Sequence, residues 1–168
     1  MMARSGLLAR HRADDRGSAA PEMAMVLPIL ITLILGSFEL GRYFLHEHTV
    51  VKAVRDGARY ASRRKFTDYN CASANAGAEQ AIRDITRTGS IGGTQPRLVY
   101  WTSQSTITVS VTCDTTGTYK GIYNGLAMGA PVVTVKASVP YTSLFGLLGF
   151  NTTGFKLNAK SESAVMGI

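Results

Sequence analysis

Residues 16–35 read RGSAAPEMAMVLPILITLIL: an arginine and a glycine, a few small residues, one proline and one glutamate, then an apolar run that stays uncharged to Phe38. From Met23 to Leu45 the only charged side chains are Glu39 and Arg42. At about 1.5 Å per residue that stretch makes a helix of roughly 34 Å, enough to cross the hydrocarbon of a bilayer. Residues 18–45 are therefore expected to form a transmembrane helix. Pro28 lies inside it and is expected to kink it at most, because membrane helices accommodate proline.

A cleaved secretory signal is the competing reading of so short an uncharged run. It needs small residues in an A-x-A-like arrangement, and Leu35-Gly36-Ser37-Phe38 fits that poorly. The helical pattern also continues past the span. Val50, Val54, Ala58 and Ala61 recur on one stripe, with Lys52, Arg55, Arg59 and Arg63 on others. Residues 46–65 are thus expected to continue the same helix in amphipathic form.

The remaining composition narrows the class. With 168 residues, 45% of them hydrophobic, the chain suits one folded unit plus an accessory element. Its net charge of +7 is spread along the chain, without the basic block of a nucleic-acid-binding surface, so no nucleic-acid partner is expected. The histidines, His11, His46 and His48, lie in the leader or at the membrane exit, away from any serine, cysteine or carboxylate constellation in the folded half. His46 and His48 are two apart, share no helix face and make poor joint metal ligands; they are expected at the lipid headgroup level. GSIGGT and TGTYKG lack the spacing of a phosphate loop and read as turns. No enzyme, cofactor or metal site is expected.

Past residue 66 the chain reads as an α+β domain, 66–168. CASANAGAEQAIRDITRT places Ala74, Ala78, Ala81, Ile82 and Ile85 at helical spacing before the turn-rich GSIGGTQP. RLVYW and TITVSVT read as a hairpin, VVTVKASVP as a third strand and FKLNAKSESA as a weaker fourth. Four strands would make a small antiparallel sheet, its apolar face covered by the two helices. Leu144, Phe145, Leu147 and Leu148 in YTSLFGLLGF are expected to pack as core, with an exposed patch for another subunit as the alternative. Cys71 and Cys113 belong to no CxxC or metal-spaced pair. In an oxidising compartment they can form one disulfide between the start of the second helix and the end of a central strand; a loop of about 42 residues makes that bridge worth roughly 4 kcal/mol on the chain-entropy model. Two unpaired buried thiols are the alternative.

Pro21 and Glu22 suit a helix N-terminus, since proline lacks the orphan amide and a carboxylate complements the dipole. That does not account for Gly17, or for an acid at the edge of a membrane span, where it is costly. A cut between Gly17 and Ser18 would give Ser18 a cationic amine and make Glu22 the fifth residue of the mature chain. On a neighbouring subunit the two could meet inside the bilayer.

The basic leader, Gly17, Glu22 and apolar helix together resemble the type IV prepilin processing pattern, in which a membrane aspartyl peptidase cuts after the glycine. The longer run from Arg16 to Arg63 resembles the TadE-like family of tight-adherence (Tad) pilus assembly proteins. The matching positions are Arg16, Gly17, Glu22, Ala24, Leu27, Pro28, Glu39, Leu40, Gly41 and Arg42, then Ala53, Arg55, Asp56, Gly57, Ala58, Arg59 and Ala61. Met23 departs from the large or aromatic residue that pilins usually carry after the glutamate. The resemblance implies a minor pseudopilin of the bacterial inner membrane: a cytoplasmic leader 1–17 removed by a prepilin peptidase, a single span, and a pilin-like periplasmic domain. Its implied partners are that peptidase, other pilins or pseudopilins, inner-membrane pilus assembly proteins and membrane lipid. Gly17 and Ser18 would be the processing site, and Glu22 and Glu39 charges for helix packing between subunits. Glu39 and Arg42, three apart, could instead pair within one helix.

Charge counting opposes that orientation, with four Lys or Arg before the span and seven from Arg42 to Lys65. We set it aside because the downstream charges lie on a continuing helix and because two cysteines on that side favour an oxidising compartment. A signal-anchored periplasmic binding or adhesion module, uncut and acting outside a pilus, is the alternative function.

Overall fold

The computed structural model describes residues 19–115, 121–149, 151 and 154–167. The leader, Gly17 and Ser18 lie outside the described residues. The chain divides into two compact units, Met1–Gly41 and Arg42–Ile168, and the first helix, α1 (Ala19–Ser62), contributes to both. In the first unit α1 carries its apolar residues in solvent: Met25 is 76% exposed, and Met23, Ile29, Leu33 and Phe38 are comparably open. Pro28 lies within this helix, leaving one carbonyl of the preceding turn without its amide. Thr32 and Ser37 each donate a side-chain hydrogen bond of 2.8 Å to the carbonyl four residues back, which satisfies the hydroxyls without an outside partner.

In the second unit α1 turns amphipathic as expected. Val50, Ala53, Val54, Ala58 and Ala61 are buried, while Lys52, Arg55, Arg59 and Arg63 are exposed. The helix ends at Ser62 and tightens to three-residue hydrogen bonds, Arg63 N–H to the Tyr60 carbonyl and Arg64 N–H to that of Ala61. The second helix, α2 (Ala76–Thr88), starts where the Asn75 side chain accepts the Ala78 N–H and stops at Gly89, whose φ of 89° lets its amide reach the Ile85 carbonyl. Ala74, expected inside this helix, precedes it; it is bridged to Tyr69 across a turn whose amides are held by the Asn70 side chain.

Gly57 of α1 packs directly on Thr86 of α2. A Cβ built there would overlap Thr86 Oγ1, and would lie 3.3 Å from Thr86 Cβ and 3.5 Å from the Ile82 carbonyl. Gly57→Ala is expected to destabilise the domain by about 1–2 kcal/mol, because overpacking outweighs the helix preference of alanine. Combining it with Thr86→Ala should restore most of the loss. Urea unfolding of both variants measures this; equal losses would mean that the helices separate freely.

Among the described residues the sheet has three strands, β1 (Ile107–Asp114), β2 (Ala130–Pro140) and β3 (Lys156–Ala164), antiparallel in that order. Val133, Val135, Ala137 and Val139 of β2 face the helices, beside Ile107 and Val111 of β1 and Leu157 of β3. The opposite face presents Thr108, Ser110, Thr112, Thr134, Lys136, Asn158, Lys160 and Glu162. This alternation builds a sheet packed on one side only.

The architecture is α+β as read from the sequence, with one strand fewer. RLVYW forms a turn: Arg97 N–H bonds the Arg87 carbonyl and Trp101 N–H bonds that of Leu98. Leu98 and Trp101 are buried at three-residue spacing while Val99 is 91% exposed, so the segment buries every third residue instead of every second. Trp101 fills the core and donates from Nε1 to Thr106 Oγ1 at 2.7 Å. The Arg97 side chain is drawn to Asp56 on α1 at 2.7 Å; with Asp56 two-fifths exposed, the pair contributes at most about 1 kcal/mol. Of the residues expected to pack as core in 141–150, Leu144 is exposed and Phe145 half-buried at the start of a short 3-10 helix, Leu144–Leu148, beside the buried Tyr141 and Ser143; the side chains of Leu147 and Leu148 lie outside those described.

Candidate functional site

The features with functional chemistry lie along α1. Glu22 sits in its first turn, exposed, one residue after Pro21. An uncharged apolar segment then runs to Phe38 and remains open to its surroundings. In length and composition this helix can cross a membrane. Glu39 is half-buried in the same unit; Arg42, half-buried as well, opens the next.

The second unit contributes structure to the other end of the helix. His46 Nδ1 and the Tyr100 hydroxyl are 2.7 Å apart, and their rings 5.4 Å. The Tyr43 and Tyr141 rings meet edge-on at 5.2 Å, and His46 and Tyr141 at 5.8 Å. Burial pushes the Tyr100 hydroxyl up to about 12, against an opposing pull from Arg42. Tyr43 and His46, three apart, share a helix face that was legible in the sequence. Their partners Tyr100 and Tyr141 had no such signal. His46 is accordingly a packed ring, while His48 is exposed. The other buried tyrosine, Tyr69, donates to the Ala61 carbonyl at 2.8 Å, and burial raises it to about 12 as well. It fastens the end of α1 to the turn that carries Cys71.

Cys71 and Cys113 are joined as a disulfide with their Cα atoms 5.0 Å apart. The bridge ties the turn before α2 to β1, which is an edge strand and not the central one expected. Among the described residues no three His, Cys, Asp or Glu side chains gather as a metal site. An open depression of about 400 Å³ on the uncovered sheet face is lined by residues including Thr108, Lys136, Ser138, Asn158 and Lys160. Its lining holds no carboxylate or imidazole to act as acid or base.

No curated protein and no solved structure matches this chain. Residues 17–59, about a quarter of the chain, match the family model described as TadE-like protein. The match begins at Gly17, contains Glu22 and the whole apolar segment, and ends at Arg59 where α1 lies against the domain; over this helix the chain is similar to TadE-like proteins.

Proposed function

We propose that the chain is a pseudopilin-type component of a Tad pilus assembly system, anchored in the bacterial inner membrane by α1 with its disulfide-stapled domain in the periplasm. A prepilin peptidase cuts it after Gly17, and Glu22, then the fifth residue, meets the Ser18 amine of a neighbouring pilin or pseudopilin at the membrane edge. Inner-membrane assembly proteins complete its surroundings. Its contribution is structural, through helix packing, and its only covalent chemistry is as a peptidase substrate and in forming one disulfide. One observation carries this reading: a TadE-like match that begins at Gly17 and coincides with an exposed apolar helix having Glu22 in its first turn. The exposed apolar side chains favour burial against lipid and other helices, and the disulfide favours an oxidising compartment for the domain.

Deleting the chain from its host is expected to remove surface pili, counted by electron microscopy, and re-expression of the intact chain to restore them. Normal piliation without it would leave an anchored module that acts outside a pilus.

A further inference from the structure

The domain end that begins at Arg42 carries large apolar side chains that the fold leaves uncovered. Val99 is 91% exposed, Phe155 58%, and Phe44 and Leu45 on α1 are similarly open. They belong to one neighbourhood. The Tyr100 hydroxyl reaches His46 on α1, and Val99 is the residue before Tyr100. Tyr141 packs its ring on Tyr43, and its N–H donates to the Phe155 carbonyl at 2.9 Å, which brings Phe155 to the same place. Cations border the group: Arg42 acts electrostatically on Tyr100, and Lys156 follows Phe155.

Helix length says what lies at this level. A hydrocarbon core of about 30 Å takes up about twenty residues at 1.5 Å each. Counted from Met23, its far edge falls at Arg42. The headgroup layer adds about 5–8 Å on each side, which is roughly the next three to five residues, within Tyr43 to Glu47. The two loops are fastened to α1 at Tyr43 and His46, within that layer. Tyrosine rings, apolar tips and basic side chains are the composition that a headgroup layer favours, the rings for their amphipathic character and the cations for lipid phosphate.

We propose that this end of the domain, through Val99 and Phe155 with the Tyr43, Tyr100 and Tyr141 cluster behind them, rests in the lipid headgroup layer, so that the domain is held at the membrane surface by its own loops as well as by α1. This rests on the reading of α1 as a membrane span, and the test separates the two. The full chain is reconstituted in vesicles of phosphatidylcholine and phosphatidylglycerol containing doxyl-labelled lipid, with a polarity-sensitive fluorophore attached to one introduced cysteine at a time. Val99→Cys and Phe155→Cys replace exposed side chains. Met25→Cys reports on the span, and Thr67→Cys, beyond the far end of α1, on the opposite end of the domain.

Several-fold quenching at positions 99 and 155 by a doxyl group near the headgroup, with none at position 67, is the expected result. If position 25 is quenched but 99 and 155 are no more quenched than 67, the proposal fails and the span stands; the patch is then free or covered by a second copy. If position 25 is not quenched either, both fail.

Discussion

Glu22→Ala is expected to cut the number of pili by at least about tenfold while leaving the chain in the membrane and its cleavage after Gly17 intact. The size of the loss separates two roles for the carboxylate. If Glu22 only complements the dipole of α1, its removal costs about 0.3–1 kcal/mol of local helix stability and assembly continues. If it pairs with the Ser18 amine of a neighbour at the membrane edge, where an unpaired charge bears part of the cost of about 2.5–3.5 kcal/mol that insertion scales give at the bilayer centre, its removal deletes the contact that sets one subunit against the next. Pilus number should then fall by at least about tenfold, the factor that corresponds to 1.4 kcal/mol. Glu22→Gln should fail as Ala does, and Glu22→Asp should retain part of the function. Pilus counts together with immunoblots of the membrane fraction read the outcome, and wild-type piliation in Glu22→Gln would exclude a charge pair.

The second large effect concerns stability. Replacing Cys71 and Cys113 together with serine opens a loop with a sequence separation of 42 and is expected to cost about 4 kcal/mol on the chain-entropy model. That is a large share of the 5–15 kcal/mol typical of a whole domain. The midpoint of thermal unfolding should drop by roughly 10–20 °C for a domain of this size. The bridge has this leverage because of where it acts. β1 is an edge strand, paired on one side only with β2, and the Cys71 turn is closed on itself by the Asn70 side chain and tied to α1 by the Tyr69 hydroxyl. Calorimetry of the oxidised wild type and the double serine variant measures the difference; coincident transitions would mean that β1 and the turn are already fixed by packing alone.

What was legible in the sequence follows from the length over which a physical signal accumulates. The α1 pattern extends over forty-four residues, so neither the apolar segment nor the change to an amphipathic face at Val50 could be mistaken for a strand. β2 alternates cleanly through Val133, Val135, Ala137 and Val139, and it is the strand paired on both sides. RLVYW is only five residues long, and its apolar content fits alternation and a turn equally well. The choice was made by Arg97 being drawn to Asp56, far away in the chain, and by Trp101 sinking into the core while it bonds Thr106 five residues on. The same holds for the close approach at Gly57, which depends on Thr86, and for the Tyr100 and Tyr141 contacts with α1. At the N-terminus the reverse applies. Gly17, Ser18 and Glu22 stand out by local pattern alone, and the TadE-like match covers residues 17–59. Their proposed function depends on a peptidase and on neighbouring helices.

The most direct measurement is the intact mass of the membrane-extracted chain, expressed with and without a functional prepilin peptidase. Loss of Met1 to Gly17 only when the peptidase is present is the predicted result, and it makes Glu22 the fifth residue of the mature protein. An uncut chain in both strains, or a cut after Ser37, would contradict the account.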